Sequence, residues 1–184
     1  MSLTLIKEDG TGKVDANAYA DLADGNAYHD GHLYASAWTA AIDAQKTVAL
    51  VMATRLIDAE CQFNGTRTNA AQGLQWPREL CPDPDSVSVP ISVLLPLPSD
   101  YVAYDKVPKA VVQATCEMAR ELLIADRTLA PPGEGLKYSN TAGNQTGYDK
   151  TDRPAVLSRV AQVMLAKYGS QISARSGAVR LMRV

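Results

Sequence analysis

The chain has few of the residues that build metal and redox sites. It contains 3 cysteines and 2 histidines in 184 residues. Cys61, Cys81 and Cys116 show no CxxC spacing, which argues against a zinc site or a redox pair built on them. An odd number also leaves one thiol over in any disulfide scheme, so we expect buried free thiols.

Aromatic residues and excess positive charge are scarce as well. There are 1 Phe and 2 Trp, and 18 Lys and Arg stand against 20 Asp and Glu, for a formal net charge of -2. Dedicated nucleic-acid binders usually carry a basic face, and single-strand binders add stacking aromatics. The composition therefore argues against a protein devoted to nucleic-acid binding.

Long apolar runs are absent too. No run approaches the roughly 20 apolar residues of a membrane span. The first residues lack the charged-then-apolar pattern of a signal peptide. We expect no membrane contact and a protein made in the cytoplasm.

Catalytic motifs are not found. The sequence has no GxSxG, HExxH, Walker or GxGxxG pattern. His29 and His32 are three residues apart, but a zinc site needs more ligands than two, so we interpret them as a solvated helix end. We predict no metal, no cofactor and no enzymatic activity.

Apolar periodicity predicts a mainly α fold, a small bundle of about three to four helices. The helices are expected at residues 17–29, 39–61, 107–128 and from 152–154 to 169. Thr39 is expected to cap the second, and Pro108 suits the first turn of the third. The apolar stripes of the last three predict that they pack together in one core.

The segments between these helices follow different patterns. Residues 1–16 predict a short strand and a turn, the loop at 64–104 is rich in proline, and residues 130–150 predict an arm or hairpin. Residues 170–184 end in the alternating pattern of an edge strand. We therefore predict a helical domain at 1–169 and an extended C-terminal tail at 170–184.

Charge is unevenly distributed between the two ends. Acidic residues predominate in the first thirty positions, whereas no acidic residue follows Arg153. Exposed ion pairs add only about 0–1 kcal/mol each, so the asymmetry favours a role in orientation and partner choice over stability.

The most distinctive segment runs from Gly65 to Arg78. Two interpretations remain open. Arg67, Gln75, Trp76 and Arg78 could form a platform for single-stranded DNA, with a base stacked on Trp76 and phosphates held by the two arginines. Alternatively, Trp76 and Pro77 anchor the loop to the core while its polar part faces a neighbouring molecule.

Several segments together resemble the head-to-tail connector (adaptor) proteins of tailed bacteriophages, some of which are labelled DnaT-like single-stranded-DNA-binding proteins. The specific part is Gly-Thr-Arg-Thr at 65–68 followed by Gln-Gly-Leu-Gln-Trp-Pro-Arg at 72–78. The weaker matches are the segments 9–12, 17–19, 27–28, 53–58, 107–110 and 177–181. The resemblance extends over nearly the whole chain.

The resemblance implies a small helical subunit of a dodecameric ring in the virion neck. Its implied partners are other copies of itself, the portal protein and a tail or stopper (terminator) protein, with non-specific contact to packaged DNA. The tail residues implied to dock on the portal are Arg175, Val179, Arg180, Leu181 and Arg183. Those implied at a subunit contact or the channel wall are Arg67, Thr68, Gln75, Trp76 and Arg78.

The alternative function is a replication accessory protein that binds single-stranded DNA, as the DnaT-like label suggests. A basic, aromatic-rich groove would favour it. A hydrolase with an unrecognised site is a third, weaker alternative that no positive feature supports.

Overall fold

The structure is a computed structural model that describes residues 3–86, 100–130, 138–141, 144–147 and 155–172. The described part contains five helices: α1 (Leu22–Asp30), α2 (Ser36–Ala40), α3 (Asp43–Glu60), α4 (Lys109–Ile124) and α5 (Arg159–Leu165). Its strands are short: β1 (Cys61–Phe63), β2 (Thr66–Arg67), β3 (Arg78–Glu79), β4 (Tyr138–Thr141), β5 (Asn144–Gly147) and β6 (Gly169–Gln171). The predicted mainly helical class is confirmed.

Helix α4 lies at the centre of the core. It packs against α3 and α5 most extensively, and also against α1 and α2. Val111 and Met118 on α4 are fully buried together with Leu50 and Ile57 on α3. Full burial of such side chains contributes about 1.5–3 kcal/mol each, so this interface accounts for much of the driving force for folding.

Helix α1 begins later than the pattern predicted. Asp21 is its N-cap and forms a capping box with Asp24, which satisfies amides left without helical partners. Residues 17–20 are not helical, because they interact with the N-terminal segment instead. The side-chain oxygen of Asn17 accepts a hydrogen bond from the Ile6 amide at 2.8 Å, and Ala18 forms an isolated β-bridge with Lys7. This single bridge also replaces the short strand predicted within residues 1–16.

Helix α2 was not predicted, and the expected cap of the following helix is wrong. Thr39 lies within α2, where its hydroxyl donates to the carbonyls of Ala35 and Ser36. The chain is extended at Ala41 and Ile42 before α3 begins. The predicted helix at 39–61 therefore joined the end of α2 and the extended residues to α3, because the apolar spacing continues across them.

The last two predicted helices are shorter than their patterns. Helix α4 ends at Ile124 because Ala125 is extended and the Asp126 carboxylate accepts from the amide and hydroxyl of Thr128. Helix α5 begins after Ser158, whose hydroxyl caps it. It ends before residue 169, because Gly169 already belongs to β6.

The strands form three separate antiparallel pairs: β1 with β6, β2 with β3, and β4 with β5. The β4–β5 pair forms a hairpin within the predicted arm at 130–150. The pairing of β1 with β6 includes Ser170 and Gln171 at the start of the predicted tail. No helix in the described part is long and apolar enough to cross a membrane.

Candidate functional site

The loop from Gly65 to Arg78 is closed at its base by two short strands. Thr66 pairs with Glu79 and Arg67 with Arg78 across β2 and β3. Gly65 has a φ of 73°, and a Cβ there would lie 2.2 Å from the carbonyl oxygen of Glu79. Glycine is therefore required where the loop leaves β1.

Arg78 occupies the interior of the loop. Its side chain donates five hydrogen bonds, to the carbonyl oxygens of Phe63, Asn64, Gly65 and Gln75 and to the side-chain oxygen of Gln75, at 2.6–3.2 Å. The residue is only 5% exposed, and burial lowers its pKa. The guanidinium thus donates its hydrogen bonds to oxygen atoms of its own chain, and it cannot hold a phosphate or a neighbouring subunit.

Trp76 is fully buried. Its peptide bond to Pro77 is cis. Its ring packs edge-on against Phe63 and Tyr168, with ring centroids 5.6 and 5.9 Å away. Trp76 therefore lies in the core, as the anchor interpretation predicted, and the stacking platform proposed for it is not formed.

A buried tyrosine and a half-buried aspartate from distant parts of the chain hold the backbone before Trp76. The Tyr19 hydroxyl donates to the Asp58 carboxylate and accepts from the amides of Gln75 and Trp76 at 3.1 and 3.3 Å. Asp58 accepts from the Gln75 amide at 3.1 Å. Burial raises the pKa of Tyr19 and raises that of Asp58 to about 6.

Gln72 and Gly73 attach the middle of the loop. The buried Gln72 amide group donates to the carbonyls of Leu74 and Pro77 at 2.8 and 3.1 Å, and its oxygen accepts from the Asn69 amide. Gly73 donates to the carbonyl of Lys13 at 2.9 Å. The loop is thus held from within and against the N-terminal segment.

The part of the loop that reaches solvent is its polar tip. Arg67 and residues 69–71 are exposed. Thr68 is half-buried, and its hydroxyl donates to the carbonyl of Tyr104 at 3.1 Å. The side chain of Tyr104 is 63% exposed. We call Arg67, Thr68, residues 69–71 and Tyr104 the tip surface.

The structure divides the predicted contact residues into two groups. Trp76 and Arg78 are internal, so the contact role expected of their side chains is corrected for this chain. Arg67, Thr68 and the half-buried Gln75 remain accessible, and their contact role stays a prediction. The predicted tail residues, Arg175, Val179, Arg180, Leu181 and Arg183, lie outside the described residues.

Tyr19, Asp58 and Gln72 were not singled out as site residues in the sequence. No local spacing connects them, because Tyr19 and Asp58 are 39 residues apart. All three lie in segments that carry the family resemblance, which was the only available signal for them.

The expected solvated helix end at His29 and His32 is wrong for His29. Its ring is buried 4.8 Å from that of Trp38, with Nε2 3.1 Å from the carbonyl oxygen of Cys116. Burial lowers the pKa of His29. Among the described residues, no group of three or more His, Cys, Asp or Glu is arranged to hold a metal ion.

The expectation of buried free thiols is confirmed, since all three cysteines are buried and unpaired. Burial raises the pKa of Cys61 and of Cys116 to about 12. Such thiols stay protonated at neutral pH and are poor nucleophiles.

Fold and loop together define a mainly helical protein with a polar loop that hydrogen bonds hold at its base and along its length. The chain belongs to the family described as "Putative DnaT-like ssDNA binding protein", whose model matches residues 3–183. That description is of a DNA-binding protein, not of an enzyme. It does not mention a phage connector, so the connector function stays a prediction.

Comparisons with curated proteins and with solved structures found no match to the chain.

Proposed function

We propose that this chain is a non-enzymatic structural subunit, a head-to-tail connector that forms a ring beneath the portal of a tailed phage. The observation that carries the proposal is the construction of the loop. Buried and half-buried hydrogen bonds made by the side chains of Tyr19, Asp58, Gln72 and Arg78 hold the loop that carries the polar tip. A rigid loop presented by a scaffold is typical of a recognition surface.

Exposed apolar side chains add to this argument. Large apolar residues are exposed in several described segments, among them Leu33, Tyr34, Val163 and Ile172. Single exposed apolar residues are ordinary, but a subunit of an assembly presents such residues to its neighbours. In a ring, each subunit contacts its two neighbours through two different patches of its surface. Exposed apolar residues on several separate segments are suited to such a head-to-tail interface.

The test is quantitative mass spectrometry of purified particles of the phage that encodes the chain. A copy number equal to that of the portal protein supports the proposal. Absence from particles, with the chain abundant in infected cells, would overturn it.

A variant pair tests the tip surface within the same proposal. Arg67→Glu should lower incorporation into particles, because it reverses the charge at the predicted subunit contact. Arg159→Glu makes the same charge change on the exposed first turn of α5 and should incorporate normally. Equal incorporation of the two variants would remove the tip surface from the assembly interface.

The second candidate is single-stranded-DNA binding, which the family description supports more directly than it supports the connector. With Trp76 and Arg78 internal, the candidate site near the loop tip uses the exposed Tyr104 for stacking, with the exposed Arg67 and Lys106 for phosphates. Stacking on one aromatic contributes about 1–3 kcal/mol per base.

Fluorescence anisotropy with a labelled oligothymidylate tests this candidate. Binding that weakens steeply between low and moderate salt would support it, because phosphate contacts release counterions. Tyr104→Ala should then reduce affinity by about tenfold or more, whereas Tyr34→Ala, at an even more exposed tyrosine between α1 and α2, should not. No binding at low salt would exclude the candidate.

A further inference from the structure

A histidine side chain closes the turn that follows α1. His32 lies just beyond the end of the helix, and its Nδ1 accepts a hydrogen bond from the Tyr34 amide at 3.1 Å. A neutral imidazole that accepts at Nδ1 carries its proton on Nε2. The bond therefore assigns the tautomer of His32, and it holds the turn in which Leu33 and Tyr34 are 86% and 73% exposed.

The other ring nitrogen of His32 faces a buried carboxylate on α4. Its Nε2 lies 3.7 Å from Oε2 of Glu117, which is too long for a hydrogen bond. Arg120 donates to the other oxygen, Oε1, at 2.6 Å and so orients the carboxylate. Within the described part of the chain, Oε2 has no hydrogen-bond partner, although Glu117 is only 2% exposed. A buried acceptor beside His32 thus lacks a donor.

The other titratable groups around His32 belong to α1 and α4. Tyr28 and His29 of α1 face it, with ring centroids 6.4 and 5.9 Å away. Burial and the charge of Glu117 raise the pKa of Tyr28, whereas burial lowers that of His29. Both shifts favour the neutral form. Arg120 is a cation whose charge Glu117 balances, so we expect the change of charge in this cluster at His32.

We propose that His32 is a pH-dependent switch, which holds the turn after α1 when neutral and binds Glu117 when protonated. An imidazolium donates from both nitrogens, so a proton on Nδ1 meets the Tyr34 amide hydrogen and breaks that bond. The charged Nε2–H can then approach Oε2 to about 2.7–2.9 Å, the length of a charge-assisted hydrogen bond.

The two hydrogen bonds that are exchanged lie in different environments. The bond to the Tyr34 amide is at the surface, where water can replace His32 as the acceptor. The bond to Glu117 would satisfy an oxygen that is buried. Acidification therefore frees the turn that carries Leu33 and Tyr34 and ties His32 to α4. The proposal does not rest on the connector function.

An NMR titration of the full chain from about pH 8 to about pH 5 tests the proposal, since histidine changes charge in this range. Proton–nitrogen correlation spectra of the rings report tautomer and charge, and the chain has only 2 histidines to assign. At the upper end, His32 should carry its proton on Nε2. As the ring becomes charged, the protection of the Tyr34 amide against exchange with water should fall by about two- to tenfold.

Three results of the titration would overturn the proposal. The first is a proton on Nδ1 of the neutral His32 ring. The second is a Tyr34 amide that keeps its protection while the ring becomes charged. The third is a His32 ring that stays neutral over the whole range. Protection is taken relative to an unstructured chain at the same pH, because exchange itself depends on pH.

A variant that does not titrate is the matched control. In His32→Asn the side-chain oxygen can accept from the amide two residues further on, as in an Asx turn. Tyr34 should therefore stay protected at every pH of the titration. A fall in protection equal to that of the wild type would show that a group other than His32 releases the turn.

A pair of variants tests the role of Glu117. Glu117→Gln removes the charge that stabilises protonated His32, so the loss of Tyr34 protection should move to lower pH. Glu121→Gln is the control, since Glu121 also accepts from Arg120 but lies one turn further along α4. It should leave the transition where it is in the wild type. Equal displacement by the two variants would rule out the pairing of His32 with Glu117.

Asp58 needs a separate control, because burial raises its pKa to about 6. Its side chain bonds Tyr19 and the Gln75 amide, in the loop before Trp76. Asp58→Asn should therefore leave the pH dependence of Tyr34 unchanged. Disappearance of that pH dependence in Asp58→Asn would assign it to the loop and contradict the role of His32.

Discussion

At the scale of single residues, Arg78 is a cation that stabilises the loop through hydrogen bonds to uncharged oxygen atoms. Its planar guanidinium donates to four backbone carbonyls through its three nitrogen atoms. A lysine ammonium offers three donors from one point and cannot serve the same set. The residue therefore fixes loop geometry in a way that depends on its shape as well as its charge.

Arg78→Ala should lower the free energy of unfolding by about 2–4 kcal/mol, because it leaves buried carbonyls without donors. Arg78→Lys should recover only a minor part of that loss. Arg67 is the exposed residue opposite Arg78 in the β2–β3 pair. Arg67→Ala should change the free energy of unfolding by no more than about 0.5 kcal/mol. Urea unfolding measures all three, and equal losses for Arg78→Ala and Arg67→Ala would contradict the structural role.

Asp58 gives the loop a pH dependence of defined sign. Burial raises its folded-state pKa to about 6, above the ordinary value near 3.8. Between these values the folded chain holds a proton that the unfolded chain releases, so this contribution to stability is lost as pH rises. Other carboxylates, such as Asp21 with its lowered pKa, act in the opposite direction.

Comparison with Asp58→Asn isolates this one carboxyl group, since the remaining groups contribute equally to both proteins. We expect the wild type to lose its advantage over the variant as pH rises. The free energy of unfolding of the wild type, minus that of Asp58→Asn, should fall by on the order of 1–3 kcal/mol between pH 4 and pH 6.5. Urea unfolding across this range measures it. A constant difference would show that Asp58 titrates near its ordinary pKa.

At the scale of elements, glycines permit the closest contacts between segments. Gly25 lies in the middle of α1, where glycine disfavours a helix. A Cβ at this position would lie 2.4 Å from the Trp38 ring of α2, so the glycine allows the two helices to meet. At Gly169 a Cβ would lie 2.3 Å from the carbonyl oxygen of Gln62, across the β1–β6 pair.

Gly169→Ala should destabilise the protein by about 1–3 kcal/mol, because the clash is with backbone that cannot move without disrupting the pair. Gly147→Ala in β5 is the control, since nothing lies within 4 Å of the Cβ it would add. That variant should be within about 0.5 kcal/mol of wild type. Thermal unfolding measures the melting temperatures of both variants. Equal melting temperatures would mean that β1 and β6 can move apart at Gly169 without loss of stability.

At the scale of the whole molecule, α4 joins the described helices into one core. It contacts α1, α2, α3 and α5. The two tryptophans report on different parts of this core, since Trp38 lies in α2 and Trp76 in the loop next to Tyr168. Helix α4 packs against α2, which holds Trp38, and against α3, whose Asp58 holds the loop of Trp76, so both regions should unfold together.

Met118→Ala, in the centre of α4, should lower stability by about 2–5 kcal/mol through the cavity it leaves. Transitions followed by tryptophan fluorescence and by far-ultraviolet circular dichroism should coincide before and after the change. Ile124→Ala, at the exposed end of the same helix, should cost less than about 1 kcal/mol. Two separated transitions in the wild type would show that the loop region unfolds independently.

The sequence by itself determined the helical class, the two long core helices and the buried thiols. Apolar spacing marks α3 and α4 because each turn of a helix repeats it locally. Proline and glycine likewise marked the loop after β1 through their effect on the backbone. These features depend on neighbours within a few residues, which is why they could be predicted.

Only the tertiary structure decided what the distinctive loop presents. Arg78 could be interpreted as a surface residue of a binding loop, and Trp76 as either a stacking surface or an anchor to the core, and the fold places both inside. The reason is that Tyr19 and Asp58, 56 and 17 residues before Gln75, meet its backbone amide. Hydrogen bonds over such separations depend on how the helices pack, and no local periodicity in the chain records them.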